Sequence, residues 1–254
     1  MSATPRRSLA IAAALAAVLA SAAPALAAGG STLVNAPMVV GSQHLTAHGG
    51  ILHSTSSNWS GYAATGSKFT SVSASWVQPA ASCNGDDTYS SFWVGLDGDG
   101  SNSVEQTGSE VDCSGGSPQY YSWYEMYPAY PVNFSNNVAP GDHFTASVTT
   151  NGSGSFTLKL ADTTQGWSHT VNKTLRNAAL ASAEIIAEAP SDSSGALPLT
   201  DFGQVNFTSA NANGKPIGSF NPDNITMASN GDTLATTSSL SGGNAFSVNW
   251  QNES

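Results

Sequence analysis

Phe69-Thr70-Ser71-Val72-Ser73-Ala74-Ser75-Trp76-Val77 alternates large and small side chains at the two-residue period of a strand with one buried face. His143-Phe144-Thr145-Ala146-Ser147-Val148 and Ser155-Phe156-Thr157-Leu158-Lys159-Leu160 repeat the pattern. Outward from these runs, residues 58–254 read as short Thr-, Ser-, Val- and aromatic-rich segments broken by Gly, Asn, Asp and Pro. Asn-Gly steps at Asn84, Asn151, Asn213 and Asn230, and Pro140-Gly141-Asp142, supply the turns. Many short strands at close spacing predict an all-β fold, an antiparallel sandwich or a barrel. One segment resists. Arg176–Glu188, RNAALASAEIIAE, is helical by propensity, while its surroundings favour a strand, and the pattern leaves both open.

The N-terminus carries Arg6 and Arg7, an unbroken apolar run from Leu9 to Ala20, and Ala25-Leu26-Ala27 after Pro24. That is the form of a secretory signal peptide over 1–27, too short to span a bilayer. Residues 28–53 are rich in Gly, Ala and Ser with no acidic residue, and read as a propeptide or disordered leader. Residues 54–254 suffice for one domain with a sizeable core. The product is expected to be secreted and extracellular, with a mature N-terminus between about residues 45 and 58.

All 17 acidic residues lie beyond residue 53, where the only basic ones are Lys68, Lys159, Lys173, Arg176 and Lys215. Such a surface repels nucleic acid and anionic membrane, so neither is expected as a partner. The two cysteines, Cys83 and Cys113, are expected to form a disulfide in an exported chain.

There is no Gly-x-Ser-x-Gly elbow, no His-Glu-x-x-His and no phosphate-binding glycine loop. Asp97-Gly98-Asp99-Gly100-Ser101 opens like a calcium loop, but Asn102 and Gly108 stand where that loop needs Gly and Glu. It reads as an acidic turn, and no metal or other cofactor is expected. What stands out is polar residues set among aromatics: Asp97 after Phe92-Trp93-Val94, Glu125 amid Tyr120 to Tyr127, and Glu184 and Glu188 within Ala183-Glu184-Ile185-Ile186-Ala187-Glu188. Carboxylates in apolar surroundings have shifted pKa values and are the usual material of acid–base catalysis.

These segments also carry a resemblance. SNWSGYA (Ser57–Ala63), WVQP (Trp76–Pro79), FWVGLDG (Phe92–Gly98), EQTG (Glu105–Gly108), WYEMYP (Trp123–Pro128), PGD (Pro140–Asp142), AEIIAEAP (Ala183–Pro190) and DFGQVNF (Asp201–Phe207) stand in the order seen in glutamic peptidases, the eqolisin family. The resemblance implies a concanavalin-like sandwich of two curved antiparallel sheets, secretion as a precursor, and acid-acting endopeptidase activity on polypeptides without a metal. It places the catalytic glutamine at Gln106 and the catalytic glutamate at Glu184. It also implies substrate-cleft roles for Trp93, Asp97, Trp123, Glu125 and Tyr127. The chain departs at Ile185, where the family usually has Trp, and at Glu110, where it often has Asp.

The chemistry follows from the side chains. An ionised Glu184 can take a proton from water and return it to the leaving nitrogen. Gln106 can offer an N–H to the oxyanion and a carbonyl to the water. A carboxylate base is expected to stay ionised well below neutrality. Trp93, Trp123, Tyr124 and Tyr127 are expected to line an apolar cleft, with Gln106 and Glu184 on neighbouring strands of one concave face. The enzyme is expected to act as a monomer. A carbohydrate-binding sandwich or a glycoside hydrolase is the alternative, because exposed aromatics and paired carboxylates also suit sugars.

Overall fold

The computed structural model describes residues 53–254, so the expected signal peptide and nearly all of the leader lie outside the described residues. The strands in chain order begin with β1 (His53–Ser56), β2 (Trp59–Ala64), β3 (Ser71–Val77), β4 (Thr88–Leu96), β5 (Val104–Ser114) and β6 (Ser117–Tyr127). Next come β7 (Val132–Asn133), β8 (His143–Thr150), β9 (Ser155–Asp162), β10 (Trp167–Thr174), β11 (Ala183–Glu188), β12 (Ser191–Asp192) and β13 (Gly195–Ala196). The last are β14 (Gln204–Ala212), β15 (Lys215–Pro216), β16 (Asp223–Ser229), β17 (Asp232–Thr237) and β18 (Phe246–Trp250). The three runs that alternate in sequence are β3, β8 and β9, and their burial alternates with the side chains.

Hydrogen bonds join the main strands in the order β10-β9-β8-β3-β14-β18-β17-β16-β2-β11-β4-β5-β6-β7, every pairing antiparallel. Its two ends do not pair, so the path is open and not a closed barrel. It doubles back on itself. Tyr62, Phe92, Val94 and Ile185 from one half share a buried cluster with Trp76, Phe144, Phe156 and Phe207 from the other. The Trp76 indole on β3 donates to Ser109 Oγ on β5 at 2.9 Å, tying the halves together. The result is the antiparallel sandwich that the alternating runs imply.

Strand β11 settles the ambiguous segment. It lies between β2 and β4, paired on both edges, and all six of its residues are buried. Hydrogen bonding on two sides and burial on two faces outweigh the few tenths of a kcal/mol per residue by which Ala and Glu favour a helix. Residues 176–182 ahead of it form no helix either, and Asn177 and Leu180 take left-handed conformations there (φ 68° and 54°).

Cys83 and Cys113 are bonded, with Cα atoms 5.5 Å apart. The bond ties the β3–β4 connection to the end of β5.

Candidate active site

Directly opposed residues of an antiparallel pair point to the same face, so register alone builds the site. Ala63 opposes Glu184, Glu184 opposes Gly95, Gly95 opposes Gln106, and Gln106 opposes Glu125. These five residues form one row across β2, β11, β4, β5 and β6. The face is the one turned away from the core, because the intervening Ile185 and Val94 belong to the core cluster. A second row two residues along holds Ile186, Trp93, Gly108 and Trp123. A third holds Trp59, Glu188, Ser91, Glu110 and Tyr121.

Gln106 and Glu184 therefore share a face, but their strands are not neighbours as expected: β4 runs between them. At about 4.8 Å per strand their backbones stand roughly 10 Å apart. Gly95 lets the Trp93 ring, Val104 and the Gln106 side chain pack directly over β4 in that interval. A Cβ there would meet Trp93 Cζ3 at 2.8 Å and Gln106 Cβ at 3.2 Å.

The surroundings are apolar. Trp59, Ala63, Trp93, Val104, Trp123, Ile186 and Ile225 form a buried cluster of their own, with Tyr121 and Tyr127 packed against it. Trp59 meets Trp93 edge-on at 4.9 Å. Into this cluster project Glu184, Gln106 and Glu125, none exposed. Both carboxylate oxygens of Glu184, Oε1 of Gln106 and Oε1 of Glu125 have no hydrogen-bond partner among the described residues. Buried polar atoms are ordinarily paired, so such a concentration on one face marks a place built for something other than stability.

Burial raises Glu184 well above the usual carboxylate range, and the negative charges of Asp99 and Asp97 add to it. The Ser182 hydroxyl and the Asp99 backbone lie near enough to favour the ionised form, though neither makes a well-aligned bond. Removal from water costs the charged form more than the protonated form. Burial and the charge of Glu188 push Glu125 up to about 9, against a lowering hydrogen bond from Gln106 Nε2, which donates to Glu125 Oε2 at 2.5 Å.

The other expected residues divide. Trp93 and Trp123 lie on the site face, and Trp93 Nε1 donates to Glu188 Oε2 at 2.7 Å. Tyr127 packs at the edge of the cluster. Tyr124 does not belong: it points to the opposite face, packs against Phe134 and carries the Lys173 ammonium over its ring. Asp97 is buried in the turn after β4 at φ 67°, and its carboxylate accepts the backbone N–H groups of Leu180 and Ala181, each at 2.8 Å. It anchors the segment leading into β11, the strand that carries Glu184. Ile185 faces the core between Tyr62 and Val94, so the departure from Trp at this position leaves the site face untouched.

The sequence reading missed Gly95, Trp59, Asp99 and Asp223. Asp223 opposes Ala63 and so extends the row of Glu184 by one strand. Gly95 stood inside a quoted motif, and a glycine within an aromatic strand was its only signal. Glu105, beside Gln106, points the other way between Leu96 and Met126, and burial pushes it up to about 8. Among the described residues no cluster of side chains is arranged to hold a metal ion.

The sequence pattern of the Peptidase A4 family matches residues 57–250. Aspergillopepsin-2 of Aspergillus niger is 30% identical over 239 residues, which is 83% of this chain and 85% of that protein. Scytalidopepsin B of Scytalidium lignicola is 33% identical over 175 residues, 65% of this chain and 60% of that one. A crystal structure of scytalido-glutamic peptidase with a transition-state analogue inhibitor superposes with a TM-score of 0.64 at 27% identity, over 77% of this chain and 98% of that one.

Proposed function

We propose, from the premise that this chain belongs to the Peptidase A4 family and is a glutamic endopeptidase, that it hydrolyses polypeptides at acid pH with Glu184 and Gln106 as its catalytic pair. The observation that carries the pair is the row in which the two share one face on either side of Gly95, beside a cluster of tryptophans. The carbohydrate-binding and glycosidase alternatives have no comparable support, since the family is one of peptide hydrolases.

In this reading the catalytic water is held between the two side chains. Glu184 takes its proton as the water attacks the scissile carbonyl, then hands that proton to the departing amine. Burial makes the ionised Glu184 a stronger proton acceptor than a carboxylate in water, and once protonated it can pass the proton on. Gln106 donates an amide hydrogen to the carbonyl oxygen as it gains charge, in surroundings where water does not compete. Tyr127, half-buried at the edge of the tryptophan cluster, offers apolar surface to substrate side chains.

The preference for acid rests on the fold as much as on the base. Asp112, Glu105 and Glu125, pushed up to about 7, 8 and 9, are held protonated in the folded state and ionise only as the solution leaves the acid range. The chain is further proposed to act as a secreted monomer. Among the described residues no helix is long and apolar enough to cross a membrane.

The test is digestion of casein and a fluorogenic peptide at acid pH. Glu184→Gln should lose at least the ~10²–10⁴-fold of general acid–base catalysis. Gln106→Ala should lose ~10²–10³-fold through the missing oxyanion donor. Glu188→Gln, two rows from Glu184, should be much milder. Undiminished digestion by folded Glu184→Gln protein would end this reading.

A further inference from the structure

Resting on the catalytic pair proposed above, the geometry points to a positioning role for Glu125: its carboxyl donates to Gln106 Oε1 and thereby turns the Gln106 amide nitrogen toward the scissile carbonyl. Glu125 touches Gln106 and has no need to touch substrate.

Three observations carry this. Glu125 and Gln106 are directly opposed on adjacent strands, both wholly buried, and their side chains meet at 2.5 Å. That separation is shorter than the 2.7–3.2 Å usual for N–H···O and lies within the range of O–H···O. The two ends of an amide are alike in shape, so the partner decides which end is oxygen. With the nitrogen toward Glu125, the amide presents Oε1 to the site, where it has no partner among the described residues. An acceptor there is the wrong polarity for a developing oxyanion. Turning the amide over puts two N–H donors on the site side and gives Glu125 an oxygen to donate to.

The turn requires a proton on Glu125, and its surroundings provide for one. The titratable groups facing it are Glu188 from β11, Glu184 farther along its own row on β11, and Tyr121 and Tyr127 on the same face of β6. None is a cation that would hold it ionised. Burial, together with the Glu188 charge, pushes Glu125 up to about 9, so it carries its proton throughout the acid range. A glutamate here is then a donor whose acceptor is fixed by register, which no apolar residue could replace.

The experiment compares kcat and KM of Glu125→Leu, Glu125→Gln, Gln106→Ala and the double variant Gln106→Ala/Glu125→Leu on one peptide at acid pH. Circular dichroism confirms that each is folded. Glu125→Leu should lower kcat by ~10²-fold, the scale of a lost oxyanion donor, with KM nearly unchanged. Glu125→Gln, whose amide can donate to Gln106 Oε1, should recover at least tenfold over Glu125→Leu. The double variant should be no slower than Gln106→Ala. Full kcat in Glu125→Leu, no recovery in Glu125→Gln, a loss carried by KM, or additive losses in the double variant would each overturn the role of Glu125. Full activity in Gln106→Ala would instead overturn the catalytic pair itself, so the two failures are distinct.

Discussion

Glu184 and Gln106 are two strands apart yet face the same side of the sheet, each directly opposite Gly95 on the strand between them. Two side chains on adjacent strands would touch and satisfy each other. Two separated by a residue with a side chain would be walled off. A glycine on the intervening strand adds no side chain to the row, and the Trp93 ring and Val104 pack over it.

Gly95→Ala tests that interval. Its methyl would lie 2.8 Å from Trp93 Cζ3 and 3.2 Å from Gln106 Cβ, with rigid neighbours on both sides. Overpacking of this kind costs ~1–3 kcal/mol, and a shift of about 1 Å in a catalytic group costs up to ~10²-fold in rate. The expected result is a folded protein with a lowered melting temperature and kcat reduced at least tenfold. Wild-type kcat would mean that the interval is not where the reaction occurs.

Asp97→Ala removes a carboxylate that accepts two backbone N–H groups. Leaving a buried donor without a partner costs ~1–3 kcal/mol, and here two are freed together. Stability in urea should fall by that order, and kcat should fall with it, because the segment leading into Glu184 loses its anchor. If Asp97 instead bound substrate directly, KM would rise while the urea midpoint stayed in place.

Stability should be greatest in acid and decline as the pH rises. In the unfolded chain carboxyls lose their protons near pH 4, at about 3.9 for Asp and 4.3 for Glu. In the fold Asp112, Glu105 and Glu125 hold theirs to about 7, 8 and 9, chiefly because burial penalises the charge. Between those limits the folded state binds more protons than the unfolded state, so unfolding becomes easier with each step in pH. Melting temperatures measured from pH 4 to pH 9 should fall steadily. A flat or rising profile would contradict these protonation states.

Replacing Cys83 and Cys113 with serine opens a loop of 30 residues, worth ~3.6 kcal/mol in the chain-entropy model. The urea midpoint should drop accordingly. Activity at low temperature should persist, since the pairing of β4 with β5 that sets Gln106 beside Gly95 does not depend on the bond.

The fold class was legible in the sequence because a strand with one buried face must alternate, and β3, β8 and β9 do. The disulfide followed from an even pair of cysteines. The candidate pair was legible too, but only through motifs in a familiar order, since nothing in the spacing of residues 106 and 184 says that they meet. Tertiary structure alone decided the rest. Residues 176–188 have the composition of a helix, and β2 and β4 on either side hold Ala183–Glu188 as a strand. Tyr124 and Glu125 are adjacent in sequence, yet only the register of β6 on β5 sends one toward Phe134 and the other to Gln106. Protonation also belongs to the fold, because a carboxyl's pKa depends on the water removed from around it. Local sequence governs which faces a segment can offer; which face is buried, and against what, is settled by strands that arrive from far along the chain.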